Sequence, residues 1–344
     1  MRKQTIKGLA VGLVAVVGLA ACGSSSSSDT TVAAGSAGLA CEVTDTGGVD
    51  DKGFNQIAHE GLLQAETQLG VKTDLLESTT DADYAPNLQS FVDKGCNVIV
   101  TVGFLLADAT KAAAEANPTV QFAIVDSNTS APNVQGLTFA TDQPSFLAGY
   151  MAAATTKSGI VGTFGGINIP PVAIFMQGFA KGVEYYNAQK KTSVKVLGWD
   201  IAKQDGTFTG DFSDQTKGTS TAKSMADEGA DIIFPVAGPV GLGASQYAMD
   251  SAGKVKIIGV DVDMSISNPT QAEVYVASVL KKIDSAVLQA VKDALAKTGG
   301  GTDYLGTLAN GGVGVAITST ITPELQAELD AVTAGIIDGS IVTK

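Results

Sequence analysis

The amino-acid sequence predicts an α/β protein built from two Rossmann-like lobes, on three observations. Short runs rich in valine and isoleucine alternate with longer stretches of helical period along most of the chain. Such continuous apolar strands are typical of parallel sheets that helices cover on both faces. The alternation occurs in two successive series, and roughly 300 residues follow the N-terminal segment, more than one hydrophobic core usually holds.

The N-terminal segment has the pattern of a secretory signal peptide. Three basic residues precede an apolar stretch at 9–17, which is too short to span a bilayer as a mature helix. A Leu-Ala-Ala-Cys sequence that ends at Cys22 follows and resembles a bacterial lipoprotein signal. We therefore expect residues 1–21 to be removed and Cys22 to carry a lipid that anchors the chain to the outer face of the cytoplasmic membrane. The alternative is an ordinary signal peptide that contains a cysteine.

Residues 22–38 are nearly all serine, threonine, alanine and glycine. A segment of this composition has too little apolar surface to pack against a core. We therefore expect a flexible tether between the lipid anchor and the folded part of the chain.

The chain is strongly acidic, with 22 basic and 35 acidic residues. Loss of the three basic residues of the signal peptide would leave an excess of 16 acidic residues. A surface of this charge repels nucleic acid and anionic lipid head groups, so we expect no nucleic-acid partner.

Strands and helices alternate in order through the folded part. Apolar runs predict strands at 39–44, 71–76, 97–102, 122–125, 159–164, 194–199, 231–235, 256–260 and 312–317. Helical period predicts helices at 53–69, 84–94, 105–117, 172–189, 218–228 and 322–335. Gly95 is expected just after the second helix and Pro118 just after the third, where each residue would end the helix.

Two cysteines remain that could form a disulfide. Cys41 lies in the first predicted strand, and Cys96 opens the third. Those strands are neighbours in a doubly wound sheet, and thiols outside the cell oxidise readily. The sequence leaves two possibilities open, a Cys41–Cys96 disulfide or two small buried side chains.

The residues that directly follow the predicted strands form the candidate site. Ligands of open parallel sheets bind outside the carboxyl ends of the strands. Carboxylates, amides, glycines and aromatic rings gather in these segments, which are 45–55, 103–104, 126–128, 165–166, 211–212, 238–243 and 261–263.

The composition argues against an enzyme and against a metal or cofactor. His59 is the single histidine, and it lies inside a predicted helix, so we expect a residue on the helix surface. The chain has no phosphate-binding GxxxxGKS or GxxxxGKT loop, and the glycines of 238–243 are in the wrong order for a dinucleotide site. Asp50 and Asp51 fit the cap of the following helix better than a pair of catalytic carboxylates.

Binding without catalysis requires fewer groups. A carboxylate can accept both hydroxyl protons of a ribose diol, and aromatic rings can stack on a purine. Phe54, Phe104 and Phe212 follow strands or polar loops that also carry Asp and Asn. Core packing is the alternative for each ring taken alone, but the three together favour a nucleoside site.

Segment 45–56, with the sequence DTGGVDDKGFNQ, resembles the signature of the basic membrane protein family, lipoproteins that act as purine nucleoside receptors of ABC importers. Weaker matches follow in order: DADY at 81–84, VGF at 102–104, FAIVDSN at 122–128, GDFSDQTKG at 210–218, IGVDVDM at 258–264 and SVLKKID at 278–284. The resemblance runs from about residue 39 to the C-terminus. It implies a type I periplasmic-binding-protein fold, in which a hinge joins two lobes and the ligand lies between them.

The resemblance implies roles for five residues around the base. Phe54 and Phe212 match the two rings that sandwich it. Asp45, Asn55 and Asp126 match polar groups around the nucleoside, and Asp126 is expected on the base edge.

It also implies roles around the sugar. Gly238 matches a backbone contact from the second lobe. Asp261 matches the carboxylate on the ribose diol, with Asp263 as the alternative, and Lys281 matches the group at the ribose 5′ side.

The lobes are expected to be discontinuous in sequence. Their expected limits are 39–141 with 266–300 for the first lobe and 142–265 with 301–344 for the second. The chain would cross between them near 141–142, 263–269 and 299–303. Lys281 would lie on a helix that returns to the first lobe.

We expect a monomer that closes on its ligand and then docks on an ABC permease in the membrane. A receptor for a free sugar or another small solute is the alternative closest in fold, although a sugar site would not require Asn55 and Asp126. A surface adhesin or ligand sensor without a transporter is a second alternative. A nucleoside hydrolase is a third.

Overall fold

Two six-stranded sheets, each packed on both faces by helices, organise the protein. The computed structural model describes residues 38–344. The predicted signal peptide, Cys22 and the tether up to residue 37 lie outside the described residues. The predicted α/β class with two parallel-sheet lobes is confirmed.

The first part of the chain contributes five strands to the first sheet. Its elements are β1 (Leu39–Thr44), α1 (Phe54–Leu69), β2 (Lys72–Leu76), α2 (Tyr84–Lys94), β3 (Val98–Val102), α3 (Ala107–Ala116), β4 (Gln121–Val125) and β5 (Val134–Phe139). Gly95 follows α2 with a φ of 81°, which glycine adopts without strain, as the sequence predicts.

The middle part of the chain builds most of the second sheet. Its elements are α4 (Asp142–Thr155), β6 (Ile160–Gly165), α5 (Pro170–Lys190), β7 (Lys195–Leu197), β8 (Trp199–Asp200), β9 (Asp205–Gly206), α6 (Gln215–Asp227), β10 (Ile232–Val236), α7 (Val240–Asp250), β11 (Lys256–Asp261), α8 (Met264–Ser267) and β12 (Tyr275–Lys281). The last part alternates between the lobes, with α9 (Ile283–Ala296), β13 (Asp303–Gly306), β14 (Val313–Ile317) and α10 (Pro323–Ile337).

The first sheet is parallel throughout, in the order β13-β5-β4-β3-β1-β2. Leu62 of α1 and Val287 of α9 pack on one face of it, and Leu88 of α2 packs on the other. The second sheet has the order β14-β12-β11-β10-β6-β7, and only β14 runs antiparallel to its neighbour. Both sheets therefore bury both faces, which explains the continuous apolar strands.

Two of the predicted crossings between the lobes are wrong. Strand β12 belongs to the second sheet, where it pairs with β11 and β14, so the chain leaves this lobe after Lys281 and not near 263–269. Strand β13 pairs with β5 of the first sheet, so the chain returns between Gly306 and Val313 and not near 299–303. The predicted limits at 265/266 and 300/301 are wrong for the same reason.

Lys281 is also misplaced by the sequence, because it is the last residue of β12 and not part of a helix. The segment around Pro269 looks like a linker between lobes in the sequence. In the structure this segment is a helical connection between β11 and β12, which pair with each other in the second sheet.

Several elements are absent from the predicted set, among them α4, β5, α7, β12 and β13. Helix α4 has eleven buried residues out of fourteen, so it shows no amphipathic period by which the sequence could reveal it. The strand predicted at 194–199 ends at Leu197, and Trp199 begins a separate two-stranded ribbon with β9.

A disulfide joins Cys41 on β1 to Cys96, which lies two residues before the start of β3. Strands β1 and β3 are adjacent in the first sheet, and the two Cα atoms are 6.1 Å apart. No helix within residues 38–344 is long and apolar enough to cross a membrane.

Candidate functional site

A cavity lies between the two lobes, at the carboxyl ends of strands from both sheets. The space between its atoms is about 610 Å³, its open mouth included. All eight residues predicted to bind the ligand line it: Asp45, Phe54, Asn55, Asp126, Phe212, Gly238, Asp261 and Lys281. This agreement in position does not by itself assign a role to any of them, and their roles are taken up below as proposals.

Strand ends of the first lobe place two carboxylates on the cavity wall. Asp45 follows β1 and Asp126 follows β4, which lie in one parallel sheet. Gly103 after β3 has a φ of 116°, and a Cβ on it would come within 2.6 Å of Asp45 Oδ2. Only glycine therefore leaves room for the Asp45 carboxylate.

The start of α1 fixes Phe54 and Asn55. The Asp51 carboxylate accepts hydrogen bonds from three backbone N–H groups at this helix start, at 2.8, 2.9 and 3.1 Å. These bonds satisfy otherwise unpaired donors and complement the helix dipole, as expected for a cap. Asn55 Nδ2 donates to the carbonyl oxygens of Thr46 and Gly48, and the buried Asn55 Oδ1 has no partner within residues 38–344. That oxygen is free to accept a hydrogen bond from a ligand.

Lys281 connects the two lobes through charge. Its Nζ lies 2.7 Å from Asp126 Oδ2 of the first lobe and 3.6 Å from Asp261 Oδ1 of the second. The side chain is only 2% exposed. Burial lowers the pKa of Lys281, but the two carboxylates outweigh this and hold the pKa above its ordinary value, so the ammonium stays charged.

Aromatic rings surround the same ammonium group. Lys281 Nζ lies 4.8 Å from the ring centroid of Phe54, 5.5 Å from that of Phe139 and 5.4 Å from that of Phe175. At these distances the ring faces attract the cation. Lys281 is thus held by residues from both lobes at once.

Two of the cavity carboxylates have raised pKa values. Burial raises the pKa of Asp45 to about 6, although hydrogen bonds from Thr46 lower it. Burial also raises the pKa of Asp261 to about 6, and the charge of Lys281 opposes this increase. Asp261 Oδ1 is buried and makes no hydrogen bond within the described part of the chain. A ligand that donates hydrogen bonds would stabilise the charged form of this group.

Close backbone contacts place Phe212 in the second lobe. A Cβ on Gly166, directly after β6, would come within 2.3 Å of the Phe212 ring, so glycine lets the ring lie against the backbone. The carbonyl oxygen of Phe212 accepts a hydrogen bond from Val240 N at the start of α7. Gly238 has a φ of 52°, in the left-handed region that favours glycine.

The sequence missed part of the cavity wall. The additional residues are mostly apolar and include Ile169, Pro171, Val172 and Phe175 at the start of α5 and Pro239 before α7. The predicted strand end at 165–166 was the available signal for these residues, because α5 begins a few residues after it. No local pattern distinguishes the apolar residues that face the cavity from those that face the core.

Asp263 does not line the cavity. Its carboxylate caps α8, accepting hydrogen bonds from Ser265 N at 3.0 Å and Ser265 Oγ at 2.6 Å. Of the two carboxylates that the sequence left open for the ribose diol, only Asp261 faces the cavity.

His59 lies away from the cavity, as expected, but it is not a simple surface residue. Its side chain is 23% exposed, and its Nδ1 is 3.7 Å from Oε1 of the fully buried Glu42. Burial lowers the pKa of His59 and raises the pKa of Glu42. No group of three or more potential metal ligands exists within residues 38–344.

Comparison with known proteins yields matches over the whole folded part. The family model described as "ABC transporter substrate-binding protein PnrA-like" matches residues 39–344. The "ABC transporter nucleoside-binding protein BmpA" of Lactococcus lactis subsp. cremoris is 32% identical over 99% of each chain. "Basic membrane protein A1" of Borrelia garinii is 32% identical over 86% of this chain and 85% of its own.

A crystal structure of an ABC transporter solute-binding protein from Aeropyrum pernix K1 is similar in fold. Its TM-score is 0.77 at 26% identity, and the alignment covers 89% of this chain and 94% of the other.

Proposed function

The chain belongs to the family of PnrA-like substrate-binding proteins of ABC transporters, and we propose that it captures purine nucleosides between its lobes for import. The observation that carries this proposal is the composition of the interlobe cavity. Aromatic rings from both lobes, Phe54 and Phe212, line it together with carboxylates and an amide. The relative from Lactococcus, whose name describes nucleoside binding, supports the same ligand class.

In this proposal the base lies between Phe54 and Phe212. Stacking on each ring contributes about 0.5–1.5 kcal/mol beyond the burial of area. Asn55 and Asp126 contact the polar edge of the base, since the unpaired Asn55 Oδ1 can accept a hydrogen bond from it. Asp45 adds a further polar contact to the nucleoside.

The sugar lies towards the second lobe. Asp261 accepts the protons of both hydroxyl groups of the ribose diol, which uses the buried Oδ1 that has no hydrogen bond in residues 38–344. Gly238 offers its backbone, and Lys281 lies at the 5′ side. Closure around the ligand excludes water, so each of these hydrogen bonds strengthens.

The protein acts as a receptor and not as an enzyme in this proposal. The closed monomer delivers its ligand to a permease, and ATP is hydrolysed in another subunit of the transporter. A lipid on Cys22 keeps the receptor at the outer face of the cytoplasmic membrane, as the Leu-Ala-Ala-Cys sequence indicates.

Calorimetric titration tests the ligand. The purified protein is unfolded and refolded to remove any bound ligand and then titrated with adenosine, guanosine, inosine, cytidine and ribose. We expect the purine nucleosides to bind at least about tenfold more tightly than cytidine and ribose, because the larger base stacks over more area. Tight binding of ribose alone would indicate a sugar receptor, and no binding of any of the five would exclude a nucleoside receptor.

Fractionation of cells tests the anchor. We expect the wild-type protein in the membrane fraction with a diacylglycerol mass on Cys22, and a Cys22→Ala variant without that mass. An unmodified Cys22 in the mature wild-type protein would exclude the lipid anchor.

A further inference from the structure

A second chamber adjoins the interlobe cavity beside the start of α7, and most of its wall belongs to the second lobe. The space between its atoms is about 370 Å³, its openings included. The two spaces share part of their walls, including Phe54, Gly238 and Asp261. The second chamber therefore lies next to a ligand in the main cavity.

The lining residues of the chamber indicate which part of the ligand lies next to it. This step rests on the orientation in the proposed function. Of the residues placed there at the base, Phe54 lines the chamber, but Asn55, Asp126 and Phe212 do not, and neither does Lys281 at the 5′ side. Asp261, placed at the ribose diol, does line it. The chamber thus adjoins the 2′ and 3′ side of the sugar.

The walls of the chamber favour an apolar occupant. Pro235, Leu242 and Met264 contribute apolar side chains. The wall also holds two carboxylates: Asp51 already accepts hydrogen bonds from three backbone N–H groups, and Asp261 is the group placed at the ribose diol. The two hydroxyl groups in the wall are paired with each other, since Ser245 Oγ and Tyr275 OH are 2.7 Å apart. A water molecule needs two or more free polar partners to be held well, and paired hydroxyl groups offer it few.

Gly241 keeps this chamber open without being required by the fold. It lies in the first turn of α7 with no positive φ, and a Cβ on it would meet only Pro235, at ordinary contact distances of 3.6 and 3.7 Å. By contrast, a Cβ on Gly243 one residue beyond Leu242 would come within 1.8 Å of Gln215 O, so glycine is obligatory there. Glycine destabilises a helix relative to alanine, so Gly241 forgoes stability that a side chain would provide.

We propose that the second chamber receives a small apolar substituent on a sugar hydroxyl, so that the protein binds 2′-O- or 3′-O-alkylated ribonucleosides as well as unmodified ones. Alkylation removes one of the hydrogen bonds to Asp261, and burial of the alkyl group in the chamber offsets part of that loss. A substituent at the 5′ position does not enter the chamber.

Titration of wild-type protein and of Gly241→Leu tests the proposal, with adenosine, 2′-O-methyladenosine, 3′-O-methyladenosine and 5′-deoxy-5′-methylthioadenosine as probes. We expect one or both O-methyl nucleosides to bind wild-type protein within about a hundredfold of adenosine. The Gly241→Leu variant should bind the O-methyl nucleosides about tenfold or more weakly, because the added side chain overpacks the chamber. Its affinity for adenosine and for the 5′-methylthio probe should change by less than about threefold. Gly241→Ala is the control for the change in helix propensity, and Leu242→Phe fills the same chamber if Gly241→Leu lowers the thermal midpoint.

Two results would overturn the proposal: neither O-methyl nucleoside binds wild-type protein within that range, or the chamber-filling variant weakens all four probes by the same factor. Failure of adenosine itself to bind wild-type protein would instead overturn the proposed function, so the two failures are distinguishable.

Discussion

The two lobes line the same cavity with different chemistry. Five of the eight wall residues from the first lobe are polar: Asp45, Thr46, Asp51, Asn55 and Asp126. Of the twelve from the second lobe only Asp261 and Lys281 are polar, and the rest are glycine or apolar residues such as Phe175 and Phe212. Directional hydrogen bonds therefore come mainly from the first lobe, and apolar contact comes mainly from the second.

The difference follows from which elements reach the cavity. In the first lobe the wall is built from strand ends and a capped helix start, where Asp and Asn are favoured. In the second lobe the start of α5 brings apolar side chains to the wall. Lys281 meets Asp126 across the cleft and also pairs with Asp261, and this charge cluster links the two lobes. Five changes test this division of roles.

Lys281→Met should have the largest effect, because it removes the cation that links the lobes. The buried Asp261 and the largely buried Asp126 would be left without a charge partner, and the loss of a buried partner costs about 3–5 kcal/mol. We expect nucleoside binding to fall by two or more orders of magnitude and the thermal midpoint to drop. Lys282→Met is the matched control, because Lys282 is exposed and adjacent. Wild-type affinity in the Lys281 variant would show that the lobes close without this link.

Removal of the disulfide should destabilise the first lobe alone. A Cys41→Ala/Cys96→Ala double variant loses a cross-link that spans 55 residues, which typically costs about 2–4 kcal/mol. We expect urea denaturation to show a correspondingly lower unfolding free energy, with nucleoside affinity unchanged because neither cysteine lines the cavity. Unchanged stability would mean that the first lobe does not depend on the bond.

Asp261→Asn should weaken nucleoside binding by about ten- to a hundredfold, since hydrogen bonds to a charged group are worth about 1.5–3 kcal/mol. Asp263→Asn is the matched control, because that carboxylate only caps α8. Calorimetry should show less than about a threefold change in the control. An equal loss in both variants would assign the diol contact to neither residue.

Replacement of the rings tests whether each lobe supplies half of the base sandwich. Phe54→Leu and Phe212→Leu keep apolar volume but lose the aromatic face, which is worth about 0.5–1.5 kcal/mol. We expect each variant to bind adenosine about three- to tenfold more weakly, with ribose binding unaltered. A loss confined to one variant would show that the base stacks on a single lobe.

The pH dependence should have opposite signs for ligand binding and for stability. In the proposed site Asp45 and Asp261, with pKa values of about 6, would bind the nucleoside as carboxylates, so affinity should rise from pH 5 to pH 7 and then level off. A carboxyl with a raised pKa binds its proton more tightly in the folded state. The ligand-free protein should therefore become more stable as the pH falls from about 6 towards about 4, apart from the effects of other groups.

Calorimetry at pH 5, 6 and 7.5 measures the first effect, and thermal unfolding without ligand measures the second. 2′,3′-Dideoxyadenosine is the control ligand, because it cannot donate to Asp261 and should show a weaker pH dependence of binding. The same pH dependence for both ligands would remove Asp261 from the titrating groups.

The sequence by itself determined the fold class and the position of the candidate site. Alternating apolar runs indicated parallel sheets, and three carboxylates predicted at strand ends, Asp45, Asp126 and Asp261, reach the cavity. The site could be predicted because the carboxyl ends of parallel strands meet at one edge of a sheet, so that each strand end can be located from its own local sequence. The family could also be read from sequence, since the segment at 45–56 carries a long motif.

Only the tertiary structure decided how the chain divides between the lobes and which groups meet across the cleft. Strand β12 joins the second sheet because of partners on β11 and β14, which its own sequence does not reveal. Lys281 contacts Asp126, 155 residues away, and Phe175 reaches the wall through the packing of α5. Local periodicity encodes which face of an element is buried, but not what packs against it, because that depends on contacts between residues far apart in the chain.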